Sequence, residues 1–250
     1  MPVATESTEE VSNPRWESLL LTRSLTEVQR AQLRTQFEAH RHAKYQVDLD
    51  FGIHLPGFVV DSGVMRPENM SSRWLAEYLT RHADRLSEKT VLDMGCGTGI
   101  QGVVAALSGA KGVVFADLSS TAIANTRENV LRFGLTDGIE ICESGDLFDC
   151  VRAPVDVIIF NHPFFAADPV EEVPVSRAMM DSGDLIHRFF RGARAFCRGL
   201  IIMPFFHLAG DTNDPGVQAP LHGYNVVRQH KFSVREGLQQ GAFSIYEIAP

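Results

Sequence analysis

Three glycines at alternate positions, Gly95, Gly97 and Gly99, close the apolar run Val91-Leu92-Asp93-Met94. Residues without a side chain let the backbone turn sharply and approach a bound group closely. A helix starting just after them presents free N–H groups. The spacing Gly95-Cys96-Gly97-Thr98-Gly99 differs from the dinucleotide fingerprint, whose third glycine falls three residues after the second. A second apolar run ends in Phe115-Ala116-Asp117-Leu118-Ser119, with Asp117 24 residues beyond Asp93, room for one intervening helix. An acidic side chain at such a strand end accepts hydrogen bonds from two ribose hydroxyls; a helix N-cap is the alternative use. A third strand end carries Ser144-Gly145-Asp146-Leu147-Phe148, with Asp149 as the alternative carboxylate. A fourth carries Phe160-Asn161-His162-Pro163-Phe164-Phe165, an amide followed by an imidazole and aromatics. His162 has two readings: a general base, since an unperturbed imidazole titrates near about 6.5, or a contributor of its backbone carbonyl alone.

These residues need elements to hold them. From residue 90 the chain alternates. Apolar runs at 90–95, 111–117, 138–146, 154–161 and 199–206 predict strands. Residues 100–109, 119–134 and 185–199 predict helices, the first two ended by Gly109 and Gly134. Two further runs, 224–234 and 242–248, lie close together with no helix between them and predict a hairpin. Strands alternating with helices make a mostly parallel, doubly wound sheet, which binds ligands at its strand C-termini. The expected fold is α/β and Rossmann-like: seven strands, an antiparallel strand from the C-terminal hairpin, and an N-terminal helical and β cap. Upstream, residues 24–43 predict a helix N-capped by Ser24, with Glu27 at capping-box spacing. Residues 46–64 predict short strands and turns, and residues 68–80 a helix with Met70, Trp74, Leu75, Tyr78 and Leu79 inward. Residues 1–13 are expected to be a solvated tail. The domain reading is a cap over 1–88 and a core over 89–250.

At 250 residues, 44% apolar and 22% charged, the chain has the composition of a globular protein. It buries enough surface to need no disulfide or metal staple. The balance of 23 Lys and Arg against 31 Asp and Glu, a net charge of −8, argues against nucleic acid as partner. No apolar run is long enough for a membrane span, and the polar, acidic N-terminus is unlike a secretory signal. Four cysteines without paired spacing fit a reduced, cytoplasmic compartment. The nine histidines show no zinc pattern, so no metal is expected.

The Asp93–Gly99 loop resembles motif I of the class I S-adenosylmethionine (SAM) dependent methyltransferases. The resemblance covers about residues 45–210. It implies that Asp93 helps hold the amino-acid end of SAM, with Gly95, Cys96, Gly97, Thr98 and Gly99 passing against the methionine and ribose. Asp117 then takes the ribose hydroxyls, and Leu118 lies near the adenine. Asp146 accepts from the adenine amine, and Leu147 packs on the ring. Asn161-His162-Pro163-Phe164 resembles the Asn-Pro-Pro-Tyr/Phe motif of enzymes that methylate planar nitrogens, with His162 standing where the motif has proline. There the Asn161 amide and the following carbonyl accept from the target NH2, a positioning effect, and Phe164 stacks on the substrate. Asn161 thus counts as catalytic and as a wall of the SAM site. Val60 to Glu68 resembles the segment that covers the methionine moiety, where Arg66 could pair with the SAM carboxylate. Most of Tyr45, Phe51, Phe58, Trp74, Phe205 and Phe206 are expected in the core, with one or two walling the cavity. His207 is expected as a capping or surface residue.

The function so implied is methyl transfer to a small-molecule or peptide acceptor, nitrogen favoured, as in a secondary-metabolite tailoring enzyme. Two readings stand beside it. SAM itself could be cyclised to azetidine-2-carboxylate with release of methylthioadenosine, in a closed aromatic pocket. Or the domain could bind SAM without catalysis, as a sensor or partner subunit.

Overall fold

The computed structural model describes residues 14–250 apart from 69, 143–144 and 237–238. The expected tail at 1–13 and Ser144 of the third motif lie outside the described residues. So does the side chain of Met70.

Helices α1 (Pro14–Leu21) and α2 (Glu27–Ala39) lead into a hairpin of β1 (Tyr45–Asp50) and β2 (His54–Val60), then α3 (Met70–Arg81). The alternating part follows: β3 (Thr90–Met94), α4 (Ile100–Leu107), β4 (Gly112–Ala116), α5 (Ser120–Arg132), β5 (Ile139–Ile141) and β6 (Val155–Phe160). A small parallel pair, β7 (Phe165–Ala166) and β8 (Met180–Asp181), precedes α6 (Asp184–Phe196) and β9 (Cys197–Phe206). The chain ends with α7 (Pro215–Leu221), β10 (Asn225–Glu236) and β11 (Gln239–Ala249).

Seven strands form one sheet in the order β10-β11-β9-β6-β3-β4-β5. The five strands from β9 to β5 run parallel, and β11 inserts antiparallel between β9 and β10. The chain leaves β3 for β4 on one side and returns to β6 on the other. This reversal opens a crevice at the C-terminal ends of β3, β4 and β6, where Asp93, Asp117 and Asn161 stand. The fold is the Rossmann-like α/β sheet expected. The central strands are apolar on both faces: Val91, Val157 and Ile159 pack on one side, Leu92 and Ile158 on the other.

The first 88 residues divide between those faces. Leu20, Leu25, Leu33 and Phe37 of the α1–α2 segment join the cluster of Leu92, Ile158 and Phe189. Leu49, Leu55, Phe58 and Leu75 join the cluster of Val91, Val157 and Phe115 on the opposite face. Two asparagines of α5 fix the hairpin to the sheet. Asn129 Oδ1 accepts from Val59 N (2.8 Å), and its Nδ2 donates to the Val59 and Thr98 carbonyls (2.8 and 2.9 Å). Asn125 bridges Val59 and Asp61 in the same way.

Some boundaries differ from expectation. The N-cap of α2 is Thr26, whose side chain accepts from Gln29 N while the Gln29 side chain accepts from Thr26 N. Ser24 lies outside the helix, because the adjacent Arg23 is fixed by donating to the Asp168 and Pro169 carbonyls (2.9 and 3.1 Å). Helix α2 ends at Ala39 rather than 43, and α6 at Phe196 rather than near Gly199, since Cys197 is already extended and starts β9. A side chain at Gly199 would meet the Asp156 carbonyl at 2.8 Å, so glycine there lets β9 lie against β6. Strand β5 has three residues instead of nine. Helices α1 and α7 and the β7–β8 pair had no counterpart in the sequence reading.

Candidate active site

The apolar strand β3 carries one carboxylate to its end, and the fold buries it. Asp93 is 1% exposed. Its Oδ2 accepts from Gly102 N in the first turn of α4 at 2.8 Å. Burial pushes its pKa up to about 7; the Gly102 hydrogen bond opposes that, and Asp117 adds to it. A buried carboxylate with no counter-ion among the described residues suits a cationic ligand group. Gly102 allows the approach of α4 to the sheet, because a Cβ there would lie 2.2 Å from Phe115 Cε1.

The loop between β3 and α4 has left-handed backbone at Gly97 (φ +56°), where an ideal Cβ would meet only Val64 Cγ1 at 3.9 Å. The backbone there lies open beside the hairpin. Asp117 Oδ2 accepts from Gly97 N (2.9 Å) and Oδ1 from Ser119 N (2.8 Å). Burial raises its pKa too, against those backbone hydrogen bonds. The helix cap is Ser119, which accepts from Ala122 N. The side chains of Cys96 and Thr98 are buried. The Cys96 thiol lies 3.2 Å from the Thr126 hydroxyl, which donates to the Gly97 carbonyl. Burial pushes the thiol well above its usual range, so it stays protonated. Both residues can therefore meet a ligand only through backbone. Leu118 projects next to Asp117 with 59% of its surface exposed. Leu147 holds a left-handed backbone (φ +49°). Its neighbour Asp146 is engaged by the Arg188 guanidinium.

Asn161 follows β6. Its Nδ2 donates to Ser72 Oγ on α3 at 3.1 Å, which fixes the amide plane and leaves Oδ1 as the accepting end. Ser72 is itself held, since its carbonyl accepts from Gln101 of α4. His162 is buried, with Nε2 2.8 Å from the Asn213 carbonyl. Burial pulls its pKa down to about 4 against its backbone hydrogen bonds, so the ring is neutral at pH 7. Pro163 is buried, and Phe164 meets Phe205 edge-on with ring centroids 5.4 Å apart. A narrow cavity with about 460 Å³ of empty space, part of it open to solvent, runs beside Asn161. Met65, Phe164, Phe165, Met179 and Phe206 form apolar walls, and Gln32 and Gln36 of α2 add two amides.

Asp93, the glycine loop, Asp117 and Asn161 thus meet at one end of the sheet. Arg66 is committed elsewhere: its guanidinium donates to Glu68 (2.6 Å), the Tyr45 hydroxyl (3.1 Å) and the Ala39 carbonyl (3.1 Å), tying the end of α2 to the hairpin. Phe51, Phe58, Phe205 and Phe206 are buried as expected, and Phe206 also walls the cavity. His207 is a hydrogen-bonded residue rather than a surface one, with Nε2 2.7 Å from Ser244 Oγ and Nδ1 3.3 Å from Asp214. Ser72, Gln32 and Gln36 carried no functional signal in the sequence. Each reads as an ordinary polar residue within a helix, and only their shared burial reveals them.

The residues fit SAM. A buried carboxylate without a counter-ion among the described residues and a second one at the next strand end can take its ammonium and ribose hydroxyls, beside an open glycine backbone. No helix among the described residues is long and apolar enough to cross a membrane.

Residues 43–174 match the family model described as ribosomal protein L11 methyltransferase (PrmA). A ribosomal protein L11 methyltransferase of Teredinibacter turnerae is 33% identical over 131 residues, 51% of this chain and 40% of that protein. One from Alkaliphilus metalliredigens is 46% identical over 72 residues, 29% of this chain and 22% of that protein. The chain thus spans less than half the length of these curated relatives. Among solved structures, the T. thermophilus 16S rRNA N2 G1207 methyltransferase, in complex with AdoMet and guanosine, superposes with a TM-score of 0.57 at 17% identity. That match covers 83% of this chain and 51% of the other, and shows the shared fold. The relatives carry the name of a ribosomal protein. This overturns the expectation of a small-molecule substrate, and the place in secondary metabolism that rested on it. The chain belongs to the ribosomal protein L11 methyltransferase (PrmA) family of class I SAM-dependent methyltransferases.

Proposed function

We propose that the chain transfers the methyl group of SAM to a nitrogen on a protein acceptor, the class named in its relatives. One observation carries this reading. Asn161 presents an amide with its donor end tied to Ser72, and it lines a cavity at the same end of the sheet as Asp93 and Asp117. Bound SAM supplies a methyl on a sulfonium, so that an N–C bond forms as the C–S bond breaks and sulfur keeps the electron pair. The chain's part is alignment and exclusion of water.

In this reading Asp93 pairs with the ammonium of SAM, and Asp117 accepts from the ribose hydroxyls. The backbone of Gly95, Cys96, Gly97, Thr98 and Gly99 lines the methionine and ribose, and Leu118 and Leu147 flank the adenine. Asp146 accepts from the adenine amine through the oxygen that Arg188 leaves open. Arg66 acts at one remove, by fixing the segment beside the methionine. Asn161 Oδ1 accepts from the acceptor N–H, Phe164 packs on the acceptor, and Pro163 stiffens the strand end. His162, neutral and hydrogen-bonded, shapes the site. In this reading residues 1–88 cap the core of 89–250 and add Gln32, Gln36, Met65 and Ser71 to the wall of the acceptor cavity. The described cysteines are free thiols, which supports a cytoplasmic setting.

The test is incubation of the purified chain with SAM, with and without ribosomal protein L11, read by mass spectrometry. The expected result is L11 gaining methyl groups together with release of S-adenosylhomocysteine. Methylthioadenosine formed from SAM alone would overturn methyl transfer. S-adenosylhomocysteine release with other proteins but not L11 would overturn only the named acceptor.

A further inference from the structure

The third strand-end motif lies between two cysteines. Cys142 follows β5, and Cys150 stands beyond Asp146 and Leu147. The Cys142 thiol donates to the Cys150 carbonyl at 3.3 Å. The side chains are neighbours as well: burial, and then a side-chain hydrogen bond with Cys150, push the Cys142 thiol up to about 12. Their exposure differs. Cys142 is 4% exposed, whereas Cys150 is half-buried. One thiol of the pair can therefore meet a small solute, and the other waits behind it.

The segment between them is anchored on two sides. Cys142 N donates to the Phe115 carbonyl of β4 (2.9 Å), and Gly145 N to the Asp117 carbonyl (3.2 Å). On the other side Asp146 is engaged by Arg188 of α6, and Phe148 stacks on Phe189 and Phe196 with ring centroids 5.8 and 5.0 Å away. Cys150 sits close behind the turn, since an ideal Cβ on Gly145 would lie 3.5 Å from Cys150 Cβ. A disulfide holds its sulfurs about 2 Å apart. Bonding Cys150 to Cys142 draws residue 150 toward the end of β5, while Phe148 stays stacked on α6. Leu147 stands within that span with left-handed backbone (φ +49°), a conformation that a residue with a side chain keeps only while its surroundings impose it. The displacement falls on Asp146 and Leu147.

We propose that Cys142 and Cys150 form a modification site for a peroxide, and that the disulfide made there weakens SAM binding by displacing Asp146 and Leu147. This rests on the placing of those two residues at the adenine in the reading above. In the first step the Cys150 thiolate attacks one oxygen of hydrogen peroxide, and the O–O bond breaks. A sulfenic acid forms, and hydroxide leaves as water with the thiol proton. In the second step the Cys142 sulfur attacks the sulfenic sulfur, the S–S bond forms, and the hydroxyl leaves as water with the Cys142 proton. The two thiols together lose two electrons, and one peroxide is reduced to two waters. Cys142, buried and protonated, reacts little with solutes; its attack depends on the sulfenic acid formed beside it.

The test treats the reduced chain, freed of reductant, with hydrogen peroxide. Affinity for S-adenosylhomocysteine is measured by calorimetry before and after, and both cysteines are followed in the tryptic peptide 133–152 by mass spectrometry. The expected result is a peptide lighter by two hydrogen atoms and an affinity lower by about tenfold, as for one lost hydrogen bond, restored by dithiothreitol. Cys150→Ser should keep its affinity through the same treatment. By linkage, saturating S-adenosylhomocysteine favours the dithiol by the same factor, so that tenfold should raise its reduction potential by about 30 mV. Absence of the disulfide while methionines oxidise, a disulfide that leaves affinity unchanged, or an equal loss in Cys150→Ser would overturn the proposal. Asp146→Ala in the reduced chain tests the reading beneath it. An unchanged affinity there would remove Asp146 from the SAM site, whereas the peptide mass and the reversal by dithiothreitol decide the disulfide and its effect by themselves.

Discussion

A carboxylate buried in a cleft that fits a cation should titrate together with its ligand. Asp93, with its pKa near 7, is largely protonated at pH 6 in the free protein. Pairing with the SAM ammonium favours the ionised form, so binding at that pH releases a proton. Affinity for SAM should therefore rise as pH climbs from 6 toward 8 and level off above, with Asp93→Asn flattening the curve. Calorimetry in buffers of different ionisation heat measures the proton count. A count of zero at pH 6 would remove the ammonium assignment. The sign for the ligand-free fold is opposite. Because the folded pKa is raised above an unfolded value of about 3.9, stability is full below that value and falls as pH rises through 7. Asp117 makes a simpler prediction. Replacing it by Ala should cost SAM affinity about 1–3 kcal/mol, since two ribose acceptors are lost. An unchanged dissociation constant would mean that its role is to hold Gly97 N and Ser119 N. For Asn161 the informative partner is Ser72, whose hydroxyl fixes the amide. Ser72→Ala should lower kcat while leaving SAM affinity near wild type; equal losses in both would place Asn161 in the SAM pocket alone.

At the scale of elements, the contact between α4 and β4 depends on one missing methyl group. Alanine usually favours a helix over glycine by about 1 kcal/mol. At Gly102 the added carbon would lie 2.2 Å from Phe115 Cε1, and overpacking of a filled core costs about 1–3 kcal/mol. The clash should win: Gly102→Ala should lower the urea midpoint, and it should weaken SAM binding by moving the amide that Asp93 accepts. A raised midpoint would show that Phe115 has room to rotate. The same packing explains what the sequence disclosed. Strands β3, β4, β6 and β9 were legible because strands covered on both faces must be continuous apolar runs, and Gly97 and Asp117 were legible because they stand at the ends of such runs. Helix α2 was legible as a helix, but its start was ambiguous. Ser24 and Thr26 both precede an acid or amide by three residues, and only the distant Asp168 and Pro169 carbonyls that hold Arg23 decide between them. Helix α7 was hidden by its length and by Pro220. The burial of Gln32 and Gln36 is a tertiary fact, for the two line one cavity with Asn161, which follows β6.

At the scale of the whole molecule, both parts of the first 88 residues pack into the clusters that flank the sheet. The α1–α2 segment packs on one face and the β1–β2 hairpin with α3 on the other, each within a cluster that includes the central strands. The acceptor wall and the SAM crevice therefore share a core, and loosening one should loosen both. Phe37 tests this. It is 1% exposed, on α2, and belongs to the same cluster as Leu92, Ile158 and Phe205. Truncating a buried phenylalanine costs about 3–5 kcal/mol, and in a two-state domain that cost lowers the entire transition. Phe37→Ala should shift a single unfolding transition, with near-UV circular dichroism and tryptophan fluorescence moving together. If α2 were instead an independently docked lid, a small early transition would separate from an unchanged main one. The cavity beside Asn161 would then have a mobile wall. A single shifted transition would mean that acceptor selectivity is built into the stability of the fold, so that substitutions in α2 could not relax specificity without also lowering Tm.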